Sequence, residues 1–170
     1  MKDHKQVRNF VLAAAAGCGI FFSPLGNVEA SASASESEVD FSSHELRLTA
    51  KEYLDSPYRY GGTTASGFDC SGYVQQVFED LEIKLPRSSN AMFSVGEPVE
   101  QNELKPGDLV FFNTSGNGIS HVGIYYGNGM FIHSQVGDGV SITSINDSHY
   151  WASRYVGAKR VADVQLMAQK

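Results

Sequence analysis

His121-Val122-Gly123-Ile124-Tyr125-Tyr126-Gly127-Asn128-Gly129-Met130-Phe131-Ile132-His133 is the stretch that decides the fold. Two runs of β-branched and aromatic residues flank Gly127-Asn128-Gly129, the residue types that a tight turn between antiparallel strands requires. The hairpin also fixes where its two histidines go. With Asn128 at the centre of the turn, residue 133 pairs with residue 123, and His121 and His133 become diagonal neighbours on one face, about 7 to 8 Å apart. A two-residue turn shifts the register by one and sends them to opposite faces.

Working outward, similar apolar runs punctuated by glycine predict strands over 108–113, 140–143 and 155–161 beside those over 121–126 and 130–134. Before Gly96 the texture is helical. Leu46, Ala50, Tyr53 and Leu54 recur at helical spacing over 44–54, and Pro57 stops the pattern. Residues 57–68 fit neither periodicity. They end at Asp69, a good N-cap for a second helix over 70–81 that buries Val74, Val77, Phe78 and Leu81. A short Ser-rich turn or helix follows Leu85-Pro86-Arg87. Helices first and an antiparallel sheet afterwards make an α+β domain, placed at 44–162 with a tail over 163–170.

The first residues differ from the rest. Lys2, Lys5 and Arg8 precede an apolar run from Phe10 to Phe22, and Val28-Glu29-Ala30 presents small residues where a signal peptidase reads. Residues 1–30 therefore read as a signal peptide, and 31–43 as a solvated Ser-rich tether. A retained membrane anchor is the alternative, but the run falls short of the roughly 20 residues a bilayer span needs. A lipoprotein site at Cys18 is weaker, because Ile20-Phe21-Phe22 carry the apolar run past it.

Removal of residues 1–30 takes three of the 13 basic and two of the 19 acidic residues, leaving 10 against 17. A net charge of −7 with no basic patch excludes a nucleic-acid binder. The same cut leaves Cys70 as the one thiol of an exported chain, where it cannot form an internal disulfide.

Cys70 stands directly after the N-cap of a helix, where free backbone N–H groups and the positive end of the dipole favour a thiolate. The alternative is a small core residue. Gly72 costs about 0.8 to 1.0 kcal/mol against Ala inside a helix, so something needs the room there. If the hairpin register brings the histidines together, Cys70 is a nucleophile, His121 its base, and His133 the residue that orients His121. The Cys70 backbone N–H could serve an oxyanion hole, with Tyr58 near it. A strand histidine is otherwise a half-buried polar residue satisfied by a neighbour. A zinc site of Cys70, His121 and His133 lacks the close ligand pairs typical of that metal, so no metal or cofactor is assigned. Trp151, Phe111, Phe112, Tyr125 and Phe131 read as core or cleft lining.

Five ordered motifs resemble the NlpC family of cell-wall endopeptidases: Pro57-Tyr58-Arg59-Tyr60-Gly61-Gly62, Phe68-Asp69-Cys70-Ser71-Gly72-Tyr73-Val74, Leu85-Pro86-Arg87-Ser88-Ser89, Lys105-Pro106-Gly107-Asp108-Leu109-Val110-Phe111-Phe112 and Ser120-His121-Val122-Gly123-Ile124-Tyr125. The likeness covers about 45–161. It implies a papain-like core and a cysteine peptidase acting on peptidoglycan stem peptides, which the signal peptide would send to the cell envelope or out of the cell. The bond is usually that between γ-D-glutamate and a diamino acid such as meso-diaminopimelate. The resemblance matches Cys70, His121 and His133 to the catalytic set, and Tyr58, Asp69 and Ser71 to residues that hold a free N-terminal L-alanine. Asp69 also fits a plain helix cap, Ser71 a helix turn and Tyr58 a packing role. Arg87 either reaches a substrate carboxylate or solvates its turn. Asn90-Ala91-Met92-Phe93 departs from the family, which often places a glutamine there. An amidase or acyltransferase using the same thiol is the alternative within enzymes, and a non-catalytic wall-binding or effector domain the alternative outside them.

Overall fold

The computed structural model describes residues 41–162 and 164–165; the expected signal peptide, the lipoprotein site at Cys18, most of the tether, Asp163 and residues 166–170 lie outside them. Among the described residues no helix is long and apolar enough to cross a membrane.

A two-residue strand β1 (Phe41–Ser42) leads into helix α1 (Ser43–Lys51), whose N-cap Ser42 accepts a hydrogen bond from the Glu45 N–H. Leu46 and Ala50 are its buried pair. The helix stops short of residue 54 because the chain turns to pair elsewhere: Asp55 N–H donates to the Val140 carbonyl, and Val140 N–H to that of Ser56. The stretch that fitted neither periodicity holds a small antiparallel hairpin of β2 (Thr63–Thr64) and β3 (Gly67–Phe68).

Helix α2 (Cys70–Asp80) follows, with Asp69 as N-cap and Val74, Val77 and Phe78 buried as expected. Gly72 explains itself here. A Cβ at that position would stand 2.1 Å from the Gly62 carbonyl oxygen, so only glycine lets the preceding loop lie against the start of α2. The Ser-rich segment is a helix, α3 (Ser89–Phe93), capped by Ser88.

The rest is sheet: β4 (Glu97–Val99), β5 (Leu109–Phe112), β6 (His121–Gly127), β7 (Met130–Gln135), β8 (Gly139–Ser144) and β9 (Tyr155–Arg160) pair antiparallel in the order β4-β9-β5-β6-β7-β8. Strand β4 was not expected; Pro98 weakens its signature, and it survives as a short edge strand. Strand β10 (Val164–Gln165) pairs in parallel with β1.

The hairpin corrects one expectation. Asn128 and Gly129 both have positive φ, 54° and 74°, which is a two-residue turn closed by the Gly127–Met130 pair. Such a turn was expected to part the histidines. Instead Tyr126 is an extra, unpaired residue, and beyond it Tyr125 pairs with Phe131 and Ile124 with Ile132. This β-bulge restores the register that places residue 133 opposite residue 123.

Both faces of the sheet are covered, so all four residues of β5 are buried. Leu109, Phe111, Val122, Ile124 and Ile132 join Val74, Val77 and Phe78 of α2 in one core; Val110, Phe112, Phe131, Ile145 and Trp151 form a second cluster.

Candidate active site

Cys70 is the first residue of α2, a free thiol with part of its surface open. The helix start was expected to favour a thiolate, and the structure weighs the effects differently. Burial pushes the thiol above its ordinary value and the Asp69 charge adds to this, against the backbone N–H groups of Val122, Ser71 and Cys70 itself. The resting group is a protonated thiol.

His121 opens β6 opposite Phe112 and is only 7% exposed; His133, on β7, is fully buried. Their rings meet as the bulged register allows, with His121 Nε2 2.8 Å from His133 Nδ1. His133 Nε2 is in turn 3.1 Å from Thr143 Oγ1 on β8. Burial holds His121 down at about 4, and burial together with His121 holds His133 well below the imidazole range, so both are neutral at neutral pH.

For two neutral rings each bond needs one proton. When His133 donates from Nε2 to Thr143, its Nδ1 accepts from His121 Nε2–H, and the lone pair of His121 is then on Nδ1, free to act as a base.

Aromatic packing fixes the pair. Trp151 lies 5.0 Å from the His121 ring and 4.8 Å from that of His133, and Phe131 stacks on His133 at 4.3 Å. Gly123 makes the stacking possible, since a Cβ there would stand 2.6 Å from the Phe131 ring. Thr143 and Gly123 escaped the sequence reading, and Trp151 entered it without a task. Their only signal is cross-strand position: Phe131 pairs with Thr143 and His133 with Ser141, which puts Thr143 on the histidine face.

A cleft of about 490 Å³ brings Cys70 and His121 together with Tyr58, Gln135, Tyr150 and Trp151, and none of its lining residues carries a fixed charge. Of the residues matched to substrate holding, Tyr58 lines the cleft; Asp69, Ser71 and Arg87 cluster beside it. Asp69 Oδ1 accepts from Gly72 N–H at 2.6 Å, Arg87 Nη1 at 2.9 Å and the Ser71 hydroxyl at 3.3 Å. Its Oδ2 accepts from Arg87 Nη2 at 2.6 Å and Gly61 N–H at 3.0 Å. Burial works to raise this carboxyl, but the Arg87 guanidinium and the Gly72 N–H outweigh it and hold it below the usual range. Arg87 is thus held on Asp69 while its side chain stays 40% exposed. At the segment lacking the family's glutamine, Met92 is fully buried and Phe93 sets its edge on Phe111 at 5.1 Å.

The sequence model of the NlpC/P60 family matches residues 55–160. Among curated relatives, the murein DD-endopeptidase MepH of Escherichia coli (strain K12) is 47% identical over 116 residues, 65% of this chain and 42% of that protein. The gamma-DL-glutamyl hydrolase of Bacillus subtilis (strain 168) is 42% identical over 129 residues, 74% of this chain and 31% of that protein. The chain thus spans less than half the length of either. An NlpC/P60 family crystal structure from Bacillus cereus ATCC 10987 superposes with a TM-score of 0.67 at 33% identity, over 72% of this chain and 41% of that one. Helices packed on an antiparallel sheet, with a thiol at a helix start, agree with the papain-like α+β fold of such neighbours. From the turn after α1 to the end of β9, the chain belongs to the NlpC/P60 family.

Proposed function

We propose that this protein is an exported cysteine endopeptidase of the cell envelope that hydrolyses peptidoglycan stem peptides, at the bond between a γ-D-glutamyl residue and its diamino acid. The observation that carries this reading is one cleft lined by both Cys70 and His121, with the buried His133 2.8 Å behind His121.

Cys70 Sγ attacks the γ-carbonyl as His121 Nδ1 takes the thiol proton; the S–C bond forms and the carbonyl oxygen becomes an oxyanion. The Cys70 backbone N–H at the helix start, with the Tyr58 hydroxyl as second donor, stabilises that charge. Collapse breaks the C–N bond as His121 returns the proton to the leaving amine. Water, activated by the same imidazole, then hydrolyses the thioester. His133 holds the His121 ring throughout, and with thiol and imidazole both uncharged at rest the proton passes to His121 as the S–C bond forms. Tyr58 contacts the N-terminal side of the stem, and Asp69, Ser71 and Arg87 form the wall behind it.

One feature favours a second reading, cleavage of cross-links between stems. Arg87 already occupies the Asp69 carboxylate beside the cleft, and no acid lines the cleft itself to require a free terminal ammonium. A substrate embedded in the wall is then acceptable. Incubation of the chain with defined stem peptides and with cross-linked dimers, read by mass spectrometry, separates the two by product mass. Wild type is expected to release a free diamino-acid amine and Cys70→Ala to release none. The same products from both proteins would sink the cysteine mechanism.

A further inference from the structure

A second cavity, of about 530 Å³, opens beside the catalytic cleft and shares Thr114 with it as a common wall. We propose that this cavity, bounded by Asn113, Thr114, Ser153, Arg154 and Tyr155, is a subsite for a substrate carboxylate on the leaving-amine side of the scissile bond, with Arg154 as the cation that binds it. The proposal rests on the endopeptidase reading of Cys70 and His121 and adds the chemistry of the substrate residue beyond the cut.

Direction comes from the mechanism. His121 returns a proton to the departing nitrogen, so that nitrogen lies against His121, away from the Asp69–Arg87 wall on the Cys70 side. Trp151 lies against the His121 ring; Tyr150 packs edge-on to Trp151 at 4.9 Å, and the Arg154 guanidinium sits 3.9 Å over the Tyr150 ring. A chain of contacts thus leads from the reacting nitrogen to Arg154.

Arg154 is the one charged residue lining either cavity, in a chain of net charge −6. Among the described residues no carboxylate lies within 4 Å of it, whereas Arg87 and Arg160 each have an aspartate partner. Its Nη1 donates to the Tyr150 carbonyl at 2.7 Å and lies 3.4 Å from Ser153 Oγ. The ring below and the carbonyl beside it hold the guanidinium in place, so little ordering remains when an anion arrives.

The neighbours suit an anion too. Asn113 Oδ1 accepts from the Gly116 N–H at 2.8 Å, which leaves its NH2 group as the donor. Thr114 is fixed to the start of β6, since its N–H donates to Ser120 Oγ at 2.7 Å. The ligand class is therefore a peptide whose leaving amine belongs to a residue with a second, free carboxylate. Diaminopimelate has this group, amidated diaminopimelate has it masked, and lysine lacks it.

The test compares kcat/KM for stem peptides that differ only in these three residues, in wild type, Arg154→Gln, Arg154→Lys and the charge control Lys159→Gln. A charge-assisted contact of this kind predicts that wild type prefers the free carboxylate by about tenfold or more. Arg154→Gln is expected to collapse that ratio, Arg154→Lys to keep part of it, and Lys159→Gln to keep it whole. Equal rates on the three peptides in wild type, or an Arg154→Gln loss shared equally by all three, would overturn the subsite. Calorimetric titration of the diaminopimelate peptide into Cys70→Ala, with and without Arg154→Gln, reads the subsite without turnover. Absence of cleavage together with Arg154-dependent binding overturns the endopeptidase reading and keeps the subsite, whereas cleavage with Arg154-independent binding does the reverse.

Discussion

At the scale of single residues, the site turns on which nitrogen of each histidine carries its proton. His121 can act as a base toward Cys70 only if its proton is on Nε2, and that requires His133 to accept at Nδ1 and donate from Nε2. In that arrangement Thr143 Oγ1, 3.1 Å from His133 Nε2, is the group that accepts. Thr143→Val keeps the branched shape in β8 and removes the oxygen, leaving a buried ring N–H without a partner at a cost of about 1 to 3 kcal/mol. The expected result is a fall in kcat of about tenfold with KM within about twofold. Thr143→Ser should restore most of it. A Val variant that turns over like wild type would remove Thr143 from the proton chain.

Cys70 and His121 were legible from the sequence because each lies in a local pattern, a cap followed by a helix and a strand leading to a turn. Thr143 was not, because its task arises from lying diagonally across β7 and β8 from a residue ten positions earlier. The Asp69–Arg87 pair was hidden for the same reason: it joins residues 18 apart that no periodicity relates.

At the scale of elements, helix positions and five of the six strands of the main sheet followed from periodicity, with ends that moved where the chain left to pair elsewhere. The hairpin was harder. Its turn residues announce a turn, but whether the histidines meet depends on one unpaired residue, Tyr126, and a bulge is a matter of register and not of composition. Contacts from α1 hold the bulge: Arg47 Nε donates to the Tyr126 carbonyl at 3.0 Å, and its guanidinium lies 5.4 Å from the centre of the Tyr126 ring. Gly127 completes it at φ 105°, with a would-be Cβ 2.6 Å from Arg47 Nη2. Gly127→Ala therefore meets backbone strain and a displaced Arg47 together, and a loss of about 1 to 3 kcal/mol is expected in chemical unfolding. Activity should fall further than stability explains, because a register slip of one residue parts His121 from His133. A variant with the wild-type melting temperature and full turnover would show that the bulge does not set the pair.

At the scale of the whole molecule, the sheet separates two tasks. Its α2 face builds the main core, and its other face sinks two uncharged histidines into an aromatic cluster. That arrangement keeps both rings uncharged near neutrality and carries an acid liability. Folded His121 binds a proton only below about 4, while the unfolded chain does so from its ordinary 6.5 downward. Between those values the unfolded state holds more protons, so the contribution is complete above pH 6.5 and is lost as the pH falls through the window. The slope is about 1.4 kcal/mol per pH unit, about 3 kcal/mol in all for this one group. His133 is depressed in the same direction and steepens the loss. Asp69, also held low, adds its share only at more acid pH. Urea unfolding of the domain at steps from pH 7 to pH 4 should show the midpoint dropping steadily below 6.5, and His121→Gln should flatten that drop by removing one titrating group. A midpoint that stays constant between pH 7 and pH 4.5 would mean that water reaches the histidine pair despite the packing of Trp151 and Phe131 against it.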